Sequence, residues 1–298
     1  MEKKQATQMK GLKGALYSLI AGASITFLPQ VSSSKEVSTQ ILSAPTLESR
    51  LGEKPGRTAR PNVDYSSLIG NLDGIEYKDR ATKGRFGISM LRLKKHGLEK
   101  HVDEYCAKFK VHEEDVLPYM VIESALNQDV GTSKGCVGIG QMSSIAVKAV
   151  NKFYGTKFVH GGNAKNQIGS AVAYFAKTYH SMAAEYPKAD QEALLNLAYF
   201  SYNAGGAPVR LATSRVKRKH LPLTWNNVKA EITPELLSAS AKLYRGLGEG
   251  ARRQKVKIIK SYISKAGIYR GYLEQLREIE SESQDKQSKG TNYSYSRK

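Results

Sequence analysis

Between about Phe86 and Tyr272, apolar residues recur three and four positions apart, and runs of strict apolar–polar alternation hardly occur. That period predicts an all-α domain, its helices interrupted by clusters of Gly and Asn. One helix can be read in detail. Asp115 stands where an N-cap would, which puts Pro118 in the first turn, where a missing N–H costs little. Leu117, Met120, Val121, Ser124 and Ala125 then follow the i, i+3, i+4, i+7, i+8 rule and form a buried stripe. Glu123 falls at the border of that stripe, at about 100° per residue. Partial desolvation there would raise its pKa toward that of a useful general acid. A solvated surface carboxylate is the plainer reading, because Glu is a common helix former and mostly exposed.

The flanking segments lack this period. Lys3, Lys4, Lys10 and Lys13 precede a charge-free stretch, residues 14–34, whose apolar part "ALYSLIAGASITFL" has the length of a signal-peptide core. Residues 1–34 therefore read as a signal peptide or an uncleaved signal anchor, and the protein as exported, to the periplasm or the extracellular cell wall. Residues 35–85, with "EKPGRTARPN", read as a linker or loosely ordered arm. Residues 86–272 form the helical domain, with a basic helical extension from about 212, and 273–298 a polar, disordered tail.

Charge narrows the partners. A formal net charge of +19 and a pI near 9.7 predict attraction to a polyanion. "RVKRKH" and "ARRQKVKIIK" concentrate that charge between Arg210 and Arg270, with Tyr244, Tyr262, Tyr269 and Tyr272 among the cations. Basic residues interleaved with aromatics also grip single-stranded nucleic acid, but the export segment and the lack of a nucleic-acid motif favour an anionic envelope polymer. The two cysteines, Cys106 and Cys136, suit either one disulfide or two buried thiols, and no metal-ligand spacing is present.

Two further stretches bear on Glu123. "GCVGIGQM", Gly135 to Met142, sets three glycines in six positions, so the backbone can turn sharply and approach a ligand or another helix. "YFSYNAGGAPV", Tyr199 to Val209, ends an apolar helical pattern on Asn and two glycines, which by itself is a helix stop.

Taken in order, Glu123-Ser124 with Asn127, then Gly135, Gly138 and Gln141, then Tyr202 to Gly205 resemble the lytic transglycosylase domain of the soluble lytic transglycosylase type, a relative of goose-type lysozyme. "NQIGSAVAYFAKTY" is similar to the helix that precedes the last motif, and the match runs from about Leu98 to Leu211. Two departures touch the loop: Gly140 stands where the family has a larger side chain, and the proline that often follows is replaced in "QMSSIAV".

The resemblance implies a lysozyme-like helical domain with a cleft, and cleavage of the β-1,4 bond between N-acetylmuramic acid and N-acetylglucosamine in peptidoglycan. Glu123 would protonate the linking oxygen and then, as carboxylate, take the proton from the muramoyl C6 hydroxyl, leaving a 1,6-anhydro end. It further implies that Tyr202 hydrogen-bonds and orients Glu123, and that Ser124, Gly138, Gln141, Met142 and Asn203 line the sugar site. No cofactor or metal is needed. A hydrolytic muramidase would want a second acid such as Asp129, as ordinary glycosidases do; a non-catalytic wall-binding or assembly factor would keep the cleft and work through the basic half.

Overall fold

The computed structural model describes residues 80–132 and 135–292, with side chains as far as 282. The signal segment, most of the 35–85 arm and residues 293–298 lie outside them. The described chain is all-α. Its eleven helices are α1 (Arg80–Lys95), α2 (Glu99–Phe109), α3 (Glu113–Ser124), α4 (Ser144–Tyr154), α5 (Ala164–Glu185), α6 (Gln191–Ala204), α7 (Gly206–Arg218), α8 (Trp225–Glu231), α9 (Pro234–Ser240), α10 (Lys242–Arg245) and α11 (Glu249–Asn292). Among them no helix is long and apolar enough to cross a membrane.

Two helices form the centre. α5 is buried on nearly every side from Gln167 to Ala183, and α6 from Ala193 to Ala204, as expected of helices that are apolar all round. Asn163 and Asp190 cap them, each side chain accepting from a backbone N–H three residues on. α2, α4 and α6 pack on α5. One core runs from Phe86 to Leu276, so the basic stretch after 212 is continuous with the rest: Ala212 is a fully buried residue in the middle of α7.

Both outer boundaries move. The described residues open within α1, at Arg80 and so inside the expected arm, and α1 buries Thr82, Phe86, Ser89, Met90 and Leu93 on one face; Gly84 and Gly87 had weakened its helical signal. At the other end α11 continues to Asn292, with Leu273 and Leu276 buried, so the expected tail starts inside a helix. Its buried stripe, Lys255, Ile259, Tyr262, Ala266, Tyr269, Leu273 and Leu276, alternates steps of four and three, the spacing that keeps one face against a partner helix.

That partner is chiefly α3, to which α11 runs antiparallel. The capping expectation for α3 is corrected here. His112 is the N-cap, and Glu113, Glu114 and Asp115 form a buried first turn, leaving Pro118 as the sixth helical residue. Arg277 pairs with Glu113 and Glu114, and Arg270 lies 3.4 Å from Asp115. Those cations, together with the positive end of the helix dipole, let the acids fold inward.

Candidate active site

Glu123 is the penultimate residue of α3, where the last turn has carbonyls without intrahelical donors. α1 supplies the donors. Arg85 donates through Nε to Val121 O at 2.8 Å and through Nη2 to Ile122 O at 2.6 Å, and Arg92 donates to Ala125 O at 3.0 Å. The backbone then turns through two consecutive left-handed residues without a glycine, Ala125 (φ 53°) and Leu126 (φ 58°). Each such residue costs about 1–3 kcal/mol.

The residue Glu123 is half-buried, and desolvation pushes its carboxyl up to about 7. Three groups oppose the rise: the Tyr262 hydroxyl, which donates to Oε1 at 2.9 Å, then Lys255 and Arg85 through their charge. Tyr262, on α11, is therefore the tyrosine that reaches the acid. Sequence reasoning missed it, naming it only among the aromatics interleaved with the cations of the basic half; the available signal was its place in the α11 heptad.

Tyr202 is close by but differently engaged. Its hydroxyl donates to Gly140 O at 2.6 Å, with Met142 Sδ at 3.3 Å, rather than orienting Glu123 as expected. Its ring lies 4.5 Å from that of Tyr119, one turn before Glu123. Burial, then Tyr119, then Glu123 push its phenol well above the ordinary range. Tyr202 thus fixes the glycine loop beneath the acid.

The loop is pinned at both ends. Val137 and Met142 exchange backbone hydrogen bonds, and Gly138 N donates to Val130 O at 2.7 Å. Gly138 has φ +74°, and a Cβ there would lie 2.2 Å from Gln167 Oε1. Gln167, in the helix that carried the softer motif match, accepts from Ile139 N and donates to Gln128 O and Gly162 O; it is a second positioning residue that the sequence left unmarked. Ser124 Oγ donates to Ile139 O at 2.7 Å, tying the end of α3 to the loop. Gln141 Nε2 donates to Val130 O and Gly138 O.

Four of the expected sugar-lining side chains are thus buried and turned inward: Ser124 and Gln141 into the loop, Met142 toward Tyr202, and Asn203 toward Lys255, whose Nζ donates to Asn203 O and Oδ1 at 3.1 Å each. Gly140 also faces inward, since a Cβ there would come within 2.5 Å of Ala171 Cβ. The larger residue of the family would strike α5. Asp129 is exposed in the turn after α3, where Asn127 Oδ1 accepts from its N–H. Cys106 and Cys136 are both buried and are not joined in a disulfide. Among the described residues no three His, Cys, Asp or Glu gather as metal ligands.

Chemically, this is one carboxyl with a pKa near neutrality, a phenol donor on one oxygen and two cations nearby. It can give a proton and take one back. No family model and no curated protein matches the sequence.

Proposed function

We propose that this protein is a lytic transglycosylase of peptidoglycan, cleaving the bond between N-acetylmuramic acid and N-acetylglucosamine with formation of a 1,6-anhydromuramoyl end. The observation that carries the reading is the Glu123 carboxyl, raised to about 7 by burial and held by Tyr262. Below that pH Glu123 is mostly protonated and can donate to the glycosidic oxygen as the bond breaks. The resulting carboxylate accepts the proton of the C6 hydroxyl, whose oxygen closes on the anomeric carbon. Both steps need a pKa near the working pH, and a single residue suffices because water is not consumed.

The motif order from Glu123 to Gly205 and the all-α fold support the same reading. Export is part of the proposal, resting on the Lys-flanked apolar run at residues 14–34. Exposed cations on α7, α8, α10 and α11, among them Lys217, Arg218, Lys229, Lys242, Arg245 and Lys257, support contact with anionic wall polymers.

The test is mass spectrometry of soluble products after wild-type protein and Glu123→Gln are incubated with murein sacculi. Anhydromuramoyl ends released by the wild type and lost in the variant are the expected result. Reducing ends would make the protein a muramidase and turn attention to Asp129. Retained binding to sacculi without release would make it a wall-binding factor.

A further inference from the structure

We propose that Arg85 and Ile88 on α1 form a subsite for the peptide carried by the muramoyl residue, with Arg85 taking one of its carboxylates, so that the site selects peptide-bearing over bare glycan. The inference rests on the reading of Glu123 as the acid of the proposed reaction.

Arg85 is exposed, yet its side chain is fixed. Nε and Nη2, which share one edge of the guanidinium, donate to Val121 O and Ile122 O at 2.8 and 2.6 Å. The Ile122 carbonyl belongs to the peptide unit that leads into Glu123, so the cation lies against the backbone of the acid itself. Carbonyls at an exposed helix end can be satisfied by water; what the arginine adds is a positive charge in a set place. The other edge, formed by Nη1 and Nη2, is engaged by no described residue. Such an edge takes a carboxylate through two parallel hydrogen bonds. Because the first edge has already ordered the side chain, a ligand meets a preorganised fork, with little further loss of rotamer freedom.

The neighbouring surface has a matching character. Arg85, Ile88 and Arg92 fall at i, i+3 and i+7 on α1, in one stripe beside the face that buries Phe86, Ser89, Met90 and Leu93. Arg92 ends the stripe on Ala125 O, just past Glu123. Between the two cations Ile88 is 49% exposed, and Leu91 next to it is 48% exposed. A fixed cation with bare aliphatic carbon beside it, at the rim of the acid, suits an anionic chain with small apolar side chains. In the proposed substrate that chain is the stem peptide. It hangs from the lactyl group of the same sugar whose bond Glu123 would cleave, and it carries alanine methyls and free carboxylates. An uncharged sugar ring offers nothing to the second edge of Arg85, so charge complementarity favours the peptide as its partner.

The test compares glycan strands that carry their peptides with the same strands stripped by an amidase, which leaves only the lactyl carboxylate. Dissociation constants for both are measured in a Glu123→Gln background, where turnover does not intrude. KM and kcat are taken from release of anhydromuramoyl product with Glu123 intact. Each measurement is repeated with Arg85→Met, Arg85→Lys and Ile88→Glu. Arg85→Lys keeps the net charge but not the planar fork, so it separates a specific pair from the general attraction of a basic protein. Ile88→Glu sets a repelling charge at an exposed position outside the core, and it carries the test should an Arg85 variant fail to fold. All three should weaken binding of peptide-bearing strands by on the order of tenfold more than binding of stripped ones. KM should rise likewise, with a smaller effect on kcat. Equal losses on both strands would reduce Arg85 to a cap of α3 and overturn the inference. A preference unchanged in Arg85→Lys would make it an effect of net charge and overturn it as well. Discrimination that depends on Arg85 in a protein releasing no anhydromuramoyl product overturns the transglycosylase reading and leaves the subsite standing; product release with a preference indifferent to all three variants does the reverse.

Discussion

Glu123→Gln should make the protein more stable, and only above a definite pH. Burial pushes the folded carboxyl up to about 7 from an ordinary value of 4.5. At about 1.4 kcal/mol per unit, ionising it in the folded state is disfavoured by on the order of 3 kcal/mol. The sign follows from proton counting. Between the two values the folded state holds more protons than the unfolded chain, so stability falls as pH rises through that window. Below about pH 4.5 the penalty is absent, and above about 7 it is complete.

Glutamine has nothing to titrate and still offers an oxygen to the Tyr262 hydroxyl, so it removes the penalty and little else. Urea unfolding of wild type and variant, followed by circular dichroism from pH 4.5 to 8.5, isolates the effect because every other group titrates alike in both proteins. The curves should converge at the acid end and separate by about 3 kcal/mol at the alkaline end. For a folded region of this size that is roughly 6–12 °C in Tm. A stability difference that stays constant with pH would refute the reasoning, since it would mean that Glu123 is not desolvated.

Tyr262→Phe should raise the Glu123 midpoint and lower kcat by on the order of tenfold to a hundredfold, while Tyr202→Phe should leave Glu123's hydrogen bond intact and cost about 1 kcal/mol of stability; NMR titration and urea melts on the pair separate the two tyrosines, and the reverse ranking would refute the assignment. Gly140→Ala should lose about 1–3 kcal/mol, because its Cβ would sit 2.5 Å from Ala171 Cβ; an unchanged Tm would show that the loop yields freely. Tyr119 has a buried hydroxyl with no hydrogen-bond partner, so Tyr119→Phe should be neutral or stabilising by about 1–3 kcal/mol, and a clear loss in chemical denaturation would refute it.

Local information made the helices legible, and with them the border position of Glu123. It failed where a distant residue decides. Asp115 looked like a cap because nothing nearby in sequence could hold three acids in a buried turn; Arg270 and Arg277, more than a hundred and fifty residues on, do so. Tyr202 was assigned to the acid because its motif follows in order, whereas the hydroxyl that arrives belongs to Tyr262, 139 residues from Glu123. The inward roles of Ser124, Gln141 and Asn203 were hidden for the same reason, since each depends on a loop or helix packed against it. One clue was present in the sequence: Lys255 interrupts the α11 heptad at a core position.

The costs in this fold gather at one place. Residues 123–126 combine a desolvated carboxyl with two successive left-handed residues that are not glycine. Packing requires neither, for a glutamate turned outward and a glycine after Ser124 would close the helix more stably. The strained turn persists because it is held from three sides: Arg85 and Arg92 fasten the end of α3 to α1, Ser124 fastens it to the glycine loop, and Tyr262 fastens the carboxyl to α11. Such over-determination is how a structure keeps a side chain in a geometry that it would otherwise leave. Here it keeps one titrating carboxyl against the Tyr262 hydroxyl, and the stability it forgoes above pH 7 is the quantity that Glu123→Gln would recover.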